Sequence, residues 1–399
     1  MWPDPVAVAD RLPSTDREGV CGAASGPPCG WAAEGSVSHR VRVARGPSRG
    51  LTLRSFSMAP EEPLFESIQP AVEAGPSRGG TTEPLAPVSE SPETRVRPTP
   101  HKSKLEELLN NRKVPVEDAE AVQRALNHYK SWIGTMKAVT ATGEEKVRQL
   151  VQLLNAYKRN IELDLIWESD QDFLFRQRGQ LKIDNSIIEE FLPWLVDIDI
   201  IPELRSLDVF AGPAGAFAAA YFVTTLTGSV ADIGLRVRKK DQDFTLSRKA
   251  FLKASFDPKF PAASVSDTSV WLAYVAAECK TNLDKTMFQE ASATSHDLKV
   301  AIPGSRYYLL CEYLDMTPIS TAGTDIDEVL ILRGKRLNSN MRSAYASSSN
   351  RRRLRDEYVD FIERNPVRED VVLRFVEHLR SLFTHSDPNE NDAVVKGYF

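Results

Sequence analysis

The stretch Val270-Trp271-Leu272-Ala273-Tyr274-Val275-Ala276-Ala277-Glu278-Cys279-Lys280 constrains this chain more than any other. It is apolar, partly β-branched and aromatic, and it carries no charge before Glu278 and Lys280. Such a run reads as a β-strand that ends in Glu-x-Lys. Residues two apart on a strand face the same side, so Glu278 and Lys280 project together. Placing a carboxylate and an ammonium beside an apolar run is costly unless they pair or bind something.

The rest of the chain divides by composition. Residues 1–103 hold 15 of the 25 prolines and 10 of the 21 glycines and show no sustained apolar period. Such an arm cannot bury enough surface to offset its ordering entropy and is expected to be disordered. The segment before Met58 is rich in Arg, Gly and Ala and has no structural logic, which suggests that translation starts at Met58 and that residues 1–57 are not part of the protein. The remainder is rich in Leu, Ile, Val, Phe and Tyr, enough for a large core. We divide it into a helical segment at 104–170, an α/β domain at 171–385 and a tail at 386–399.

Four cysteines (Cys21, Cys29, Cys279 and Cys311) form no metal-binding spacing and no disulfide framework. With no secretory signal at the start of the chain, they point to a reducing, cytoplasmic setting. The net charge of -5 does not suggest a generally basic DNA coat.

Apolar spacing of three and four predicts helices through Leu105–Leu109, Val116–Met136 and Thr142–Ile161, then another over Ser186–Val196. Val209–Ala231 has no charged residue. Its apolar centre is shorter than the ~20 residues a bilayer requires, so a buried helix is expected and no membrane contact. Strands are expected at Phe244–Ser247 with an extension to Ser255, Val270–Cys279, Arg306–Leu314 and Glu328–Arg333. A helix from Asp284 to Leu298, with Asp284 as N-cap, separates two of them. A last helix runs from about Arg368 to Phe383. Strands separated by helices indicate an α/β fold with a mixed central sheet flanked by helices.

Glu278 and Lys280 provide a carboxylate able to hold Mg²⁺ and a cation able to handle an attacking water. A second acid from a neighbouring strand completes such a site. Asp243 opens an alternating strand and is preferred; Asp241 is the alternative, and Asp267 sits in a Ser/Asp/Thr stretch that looks like a connection. Glu-Cys-Lys-Thr-Asn-Leu-Asp-Lys-Thr-Met, preceded by Asp-Gln-Asp-Phe-Thr-Leu-Ser-Arg, resembles the PD-(D/E)XK nucleases. More narrowly, it resembles the Bpu-type restriction endonucleases, type II enzymes that cut asymmetric sites as paired, non-identical subunits. The likeness spans roughly residues 105–385, with its specific motifs within 236–315. It departs from the signature in having no Pro before Asp243.

The resemblance implies a restriction-endonuclease-like core and Mg²⁺ bound by Asp243, Glu278 and the backbone carbonyl of Cys279. It further implies that Lys280 positions the water or stabilises the transition state, with Asp241, Gln289 and Glu290 as possible supporting residues. The activity implied is hydrolysis of a specific double-stranded DNA site. A second nuclease subunit, identical or not, and a DNA methyltransferase as genetic partner follow from the same likeness.

A DNA partner needs cations, because duplex affinity comes largely from phosphate neutralisation. Lys239, Lys240 and Arg248 flank Asp243. Between Arg333 and Arg355 lie eight Lys or Arg and no acid, including Arg333, Lys335, Arg336, Arg342, Arg351, Arg352 and Arg353. These are the expected DNA-contacting residues.

Overall fold

The computed structural model describes residues 97–228, 233–383 and 390–397. The readings of a start at Met58, of Cys21 and Cys29 and of a disordered arm as far as residue 96 lie outside those residues. Residues 100–103, assigned to that arm, instead form the first turn of a helix in which His101 is buried.

Helices come first, as the apolar spacing requires: α1 (Pro100–Asn110), α2 (Val116–Lys137) and α3 (Gly143–Asn160), which runs on into a π-helical turn, Ile161–Trp167. The short α4 (Asp172–Gln177) and α5 (Asn185–Phe191) follow, and a 3₁₀ turn at Leu192–Leu195 extends α5. These helices are not an appendage. Leu105, Val122, Leu150, Leu154, Ile188 and Phe191 share one apolar core with sheet residues Phe244, Val275, Ala277, Tyr308, Leu310 and Leu332. His101 ties three of the helices together. Its ring nitrogens lie 2.9 Å from Ser186 Oγ and 2.7 Å from Tyr157 Oη, and its backbone N–H donates to Glu190 at 2.9 Å.

The sheet contains β1 (Phe210–Phe222), β2 (Leu235–Ala254), β3 (Ser266–Leu283), β4 (Arg306–Leu314) and β5 (Glu328–Lys335), in that spatial order. The first two pairings are antiparallel and the last two parallel, so the sheet is mixed. β1 overturns one expectation: residues 210–222, within the stretch read as a buried helix, form a strand. The alanines that favour a helix serve instead as small residues of the sheet, Ala216 and Ala218, in one cluster with Phe288, Ala291 and Leu298. Gly212 has φ +147, and a Cβ there would meet Pro98 Cγ at 2.6 Å. Pro213 falls in the register break between Gly212 and Ala214, where a residue without an N–H costs no ladder bond.

Asp284 caps α6 (Lys285–Ala301) as expected, its side chain accepting the N–H of Met287 at 2.9 Å. This helix covers the second face of the sheet, against Ala276, Tyr307, Leu309 and Cys311. After β5 come α7 (Ser339–Ala344), α8 (Ser348–Arg353), α9 (Arg355–Arg364), α10 (Glu369–Ser381) and α11 (Glu390–Lys396). α10 returns to the first face through Phe375, which meets Phe244 and Tyr308 edge-on.

Candidate metal centre

The β2–β3 ladder starts at Phe244–Ala277 and runs to Ala254–Ser266. On the other side of Phe244, β2 stays with β1 alone, while β3 remains paired to β4 as far as Leu283–Leu314. The sheet forks there. Asp243 is the first residue past the fork, and continuing the register by one places it opposite Glu278. Ala276 and Tyr307 face α6 whereas Ala277 and Tyr308 face the other layer, so alternation turns Glu278 and Lys280 to the α6 side. The Asp243 carboxylate sits at the edge of the fork, within reach of β3 and of the α5 layer.

Asp243 Oδ2 accepts the N–H of Cys279 at 2.9 Å, satisfying a strand donor that the departing β2 leaves open. Lys280 Nζ lies 3.1 Å from Glu278 Oε2. The other layer reaches the fork through the start of α5. Lys182 Nζ lies 3.3 Å from Asp243 Oδ1 and 3.2 Å from Glu189 Oε1. Asn185 Nδ2 donates to the Cys279 carbonyl at 3.1 Å and to Glu189 at 2.9 Å. Lys182, Asn185 and Glu189 were not anticipated from the sequence. Their only signal is an Asn and a Glu four apart on a short helix, which many helices carry.

The electrostatics follow from burial and like charge. Burial, and then the neighbouring Asp243, raise Glu189 above the ordinary carboxylate value. Burial works against the Lys182 ammonium, but Asp243 and Glu189 outweigh it and hold its pKa above the usual lysine value. Burial, and then Asp243, push the Cys279 thiol well up, and the side chain is part of the apolar core. Burial, and then Glu278, also raise the hydroxyl of buried Tyr307.

Among the described residues, no three His, Cys, Asp or Glu side chains converge closely enough to hold a metal ion unaided. The donors present are two carboxylates and a backbone carbonyl. That set fits Mg²⁺, which uses one or two carboxylates and keeps several waters.

The alternative acids lie elsewhere. Asp241 is exposed on the outer hairpin opposite Gly215, and Asp267 is exposed at the far end of β3, paired with Lys253. Gln289 and Glu290 are exposed on α6, with no bond to Asp243, Glu278 or Lys280.

The cations expected at DNA sort into three groups. Arg333 and Arg351 are corrections: neither can reach a duplex. The Arg333 side chain is 2 % exposed and is bound to Glu162, Glu312 and the Asn365 carbonyl. Arg351 is fully buried, donating to the carbonyls of Trp167, Ser169 and Gln171 at 3.1–3.2 Å and to Asp172. Counting charges along the chain could not reveal distant partners such as Glu162 for Arg333 and Asp172 for Arg351.

Lys240, Arg336, Arg342 and Arg352 are paired with Asp297, Asp315, Asp315 and Asp170 respectively. Lys239, Arg248, Lys335 and Arg353 are exposed with no ion pair among the described residues. Parallel β3, β4 and β5 end on one side, so Lys335 and Arg336 lie at the same edge as Lys280. A cavity of ≈ 100 Å³ opens there, lined by Thr281, Asn282, Arg178, Arg336 and Arg342 among others.

No helix among the described residues is long and apolar enough to cross a membrane. No curated protein matches the chain. Among solved structures, one titled the native BbvCI A2B2 tetramer at low resolution is similar at 20% identity. The match covers 66% of this chain and 98% of that one, with a TM-score of 0.35. A family model described as the Bpu10I restriction endonuclease matches residues 180–399, which include β1–β5, the fork and every residue placed at it. By that match, this chain belongs to the Bpu10I restriction endonuclease family.

Proposed function

We propose that the chain is a Mg²⁺-dependent type II restriction endonuclease that hydrolyses phosphodiester bonds within a specific double-stranded DNA site. It works beside a second nuclease subunit, identical or not, and a DNA methyltransferase protects the same site. The observation that carries this reading is the convergence at the fork. Asp243 from β2 is bonded to the Cys279 N–H of β3, next to the Glu278–Lys280 pair.

Bound between Asp243, Glu278 and the Cys279 carbonyl, Mg²⁺ would polarise the scissile phosphate and lower the pKa of a water. The protein's own groups do the rest. The Cys279 N–H fixes one oxygen of Asp243, so the other is aimed rather than free to rotate. Asn185 holds the Cys279 peptide from its carbonyl side. Lys280 has three N–H donors, so it can keep Glu278 and still donate to the attacking water and to a phosphate oxygen as charge develops there. Lys239, Arg248, Lys335 and Arg353 supply exposed positive charge for the DNA backbone, with Lys240, Arg336, Arg342 and Arg352 held nearby by acids. Surface ion pairs are worth about 0–1 kcal/mol when exposed, as Arg352–Asp170 is, and the other three are partly exposed, so phosphates can replace those acids.

The test is incubation with plasmid DNA in Mg²⁺, in Ca²⁺ and in chelator, followed by mapping of the ends. Discrete fragments in Mg²⁺ alone support the reading. Asp243→Asn, Glu278→Gln and Lys280→Ala should each abolish cutting, with duplex binding in Ca²⁺ retained by Lys280→Ala. Binding without any cleavage, with or without a second subunit, would make the chain a DNA-binding module instead.

A further inference from the structure

Lys182 is built unlike an ordinary surface lysine. Its backbone has φ +51, a left-handed conformation that residues with a Cβ rarely adopt. That backbone is pinned on both sides. Its N–H donates to the Gly179 carbonyl at 3.2 Å, and its own carbonyl accepts from Ser186 N–H at 3.3 Å and from Ser186 Oγ at 2.5 Å. Strain held in place at a candidate site is a reason to look for a role. The result here is that the ammonium lies between Asp243 Oδ1 and Glu189 Oε1, at 3.3 Å and 3.2 Å. Glu189 is buried, and without a cation the two carboxylates would face each other unscreened. The lysine side chain itself is 47% exposed, so it has a free path outward.

We infer that the Lys182 ammonium is a resident counter-ion of the metal-free site, which a divalent ion must displace before it can use Asp243. This rests on the reading of Asp243 as a metal ligand. Two cations cannot share one carboxylate oxygen at these distances without strong repulsion, so loading of the ion and seating of Lys182 exclude each other. A phosphate arriving at the fork offers the displaced ammonium a new partner. DNA binding and ion loading would then favour each other, and the coupling is reciprocal.

Calorimetric titration with Ca²⁺, in the absence of DNA, tests this on the full chain. Lys182→Asn removes the charge with a residue that tolerates the left-handed backbone. It should bind Ca²⁺ about tenfold more tightly than the parent, the scale of removing a unit charge from within ~5 Å of the ion at a partly solvated position. Lys182→Arg keeps the charge and should stay close to the parent. Asp243→Asn should bind poorly. Thermal unfolding provides a second readout: Lys182→Asn should be less stable than the parent without Ca²⁺ and recover with it. Should that variant not fold, Lys182→Gln carries the same expectation. Equal or weaker binding by the neutral variant, with Asp243→Asn still defective, would overturn the counter-ion role and leave the metal site standing. Absence of Ca²⁺ binding in the parent and the neutral variant alike would overturn both.

Discussion

Replacing Arg333 by Met should unfold the protein more readily rather than weaken its grip on DNA. Arg333 belongs to a buried quartet with Lys158, Glu162 and Glu312, whose side chains are 2–8 % exposed. Lys158 Nζ lies 3.0 Å from Glu312 and 3.4 Å from Glu162, and Arg333 bridges the same two acids. Two cations and two carboxylates cancel, so the quartet is neutral as built. The substitution leaves one negative charge buried without compensation. Breaking a buried ionic group in this way costs about 3–5 kcal/mol. For a domain of this size that lowers the melting temperature by about 6–10 °C.

The penalty must also depend on pH. In the parent, burial acts to raise the pKa of Glu162, but Arg333 and Lys158 outweigh it and the value is lowered. Its stabilisation is therefore present above the unfolded carboxylate pKa and lost as pH falls through the lowered folded value. Without Arg333, burial prevails and the folded value rises. Stability is then greatest below the unfolded pKa and is lost as pH rises through the raised folded value. Burial already raises Glu312, and losing Arg333 adds in the same direction. The gap between parent and variant should thus be larger at pH 8 than at pH 5, read by calorimetry. An Arg333→Met protein that melts like the parent but binds duplex DNA more weakly would refute the buried-quartet account and restore the role expected from sequence.

Three further outcomes follow. Arg351→Met leaves the Trp167, Ser169 and Gln171 carbonyls without their donor, and should cost about 3 kcal/mol or more while leaving the salt slope of DNA binding unchanged. Asn185→Ala frees the Cys279 carbonyl and should lower the rate of cleavage about 10–100-fold with little change in melting temperature; an unchanged rate would remove Asn185 from the site. His101, buried first and repelled by Lys158 second, has its pKa lowered to about 3. The unfolded chain takes up that proton below the ordinary histidine value and the folded chain does not, so stability is lost as pH falls from about 6.5 toward 3. His101→Gln should flatten that slope by about one proton in urea titrations at pH 7 and pH 4.5.

Legibility from sequence followed the reach of each signal. Strands β3, β4 and β5 and the Asp284 cap were readable because an apolar run and a capping residue are local properties. Glu278 stood out because it breaks the apolar run of β3, and Asp243 because it opens the alternating run Phe244–Ser247, although the rest of β2 is highly charged. β1 was misread: its alanines have high helix propensity, and its partner, residues 235–242, is too charged to look like a strand. Only pairing between the two makes either one extended. β3 also continues past Lys280 to Leu283, because β4 supplies a partner there. Lys182, Asn185 and Glu189 stayed hidden because their role exists only where α5 meets the fork. Arg333 and Arg351 looked like DNA contacts because a linear charge count sees cations and not the acids folded onto them.

The claim that a divalent ion sits at the fork can be checked without DNA or a second subunit. Fe²⁺ with ascorbate and peroxide cuts a polypeptide next to the bound iron, and mass spectrometry locates the breaks. The account predicts cuts near Asp243 and near Glu278–Lys280, suppressed by excess Mg²⁺ and absent in Asp243→Asn. Breaks confined to other segments, or cuts that persist unchanged in Asp243→Asn, would contradict it.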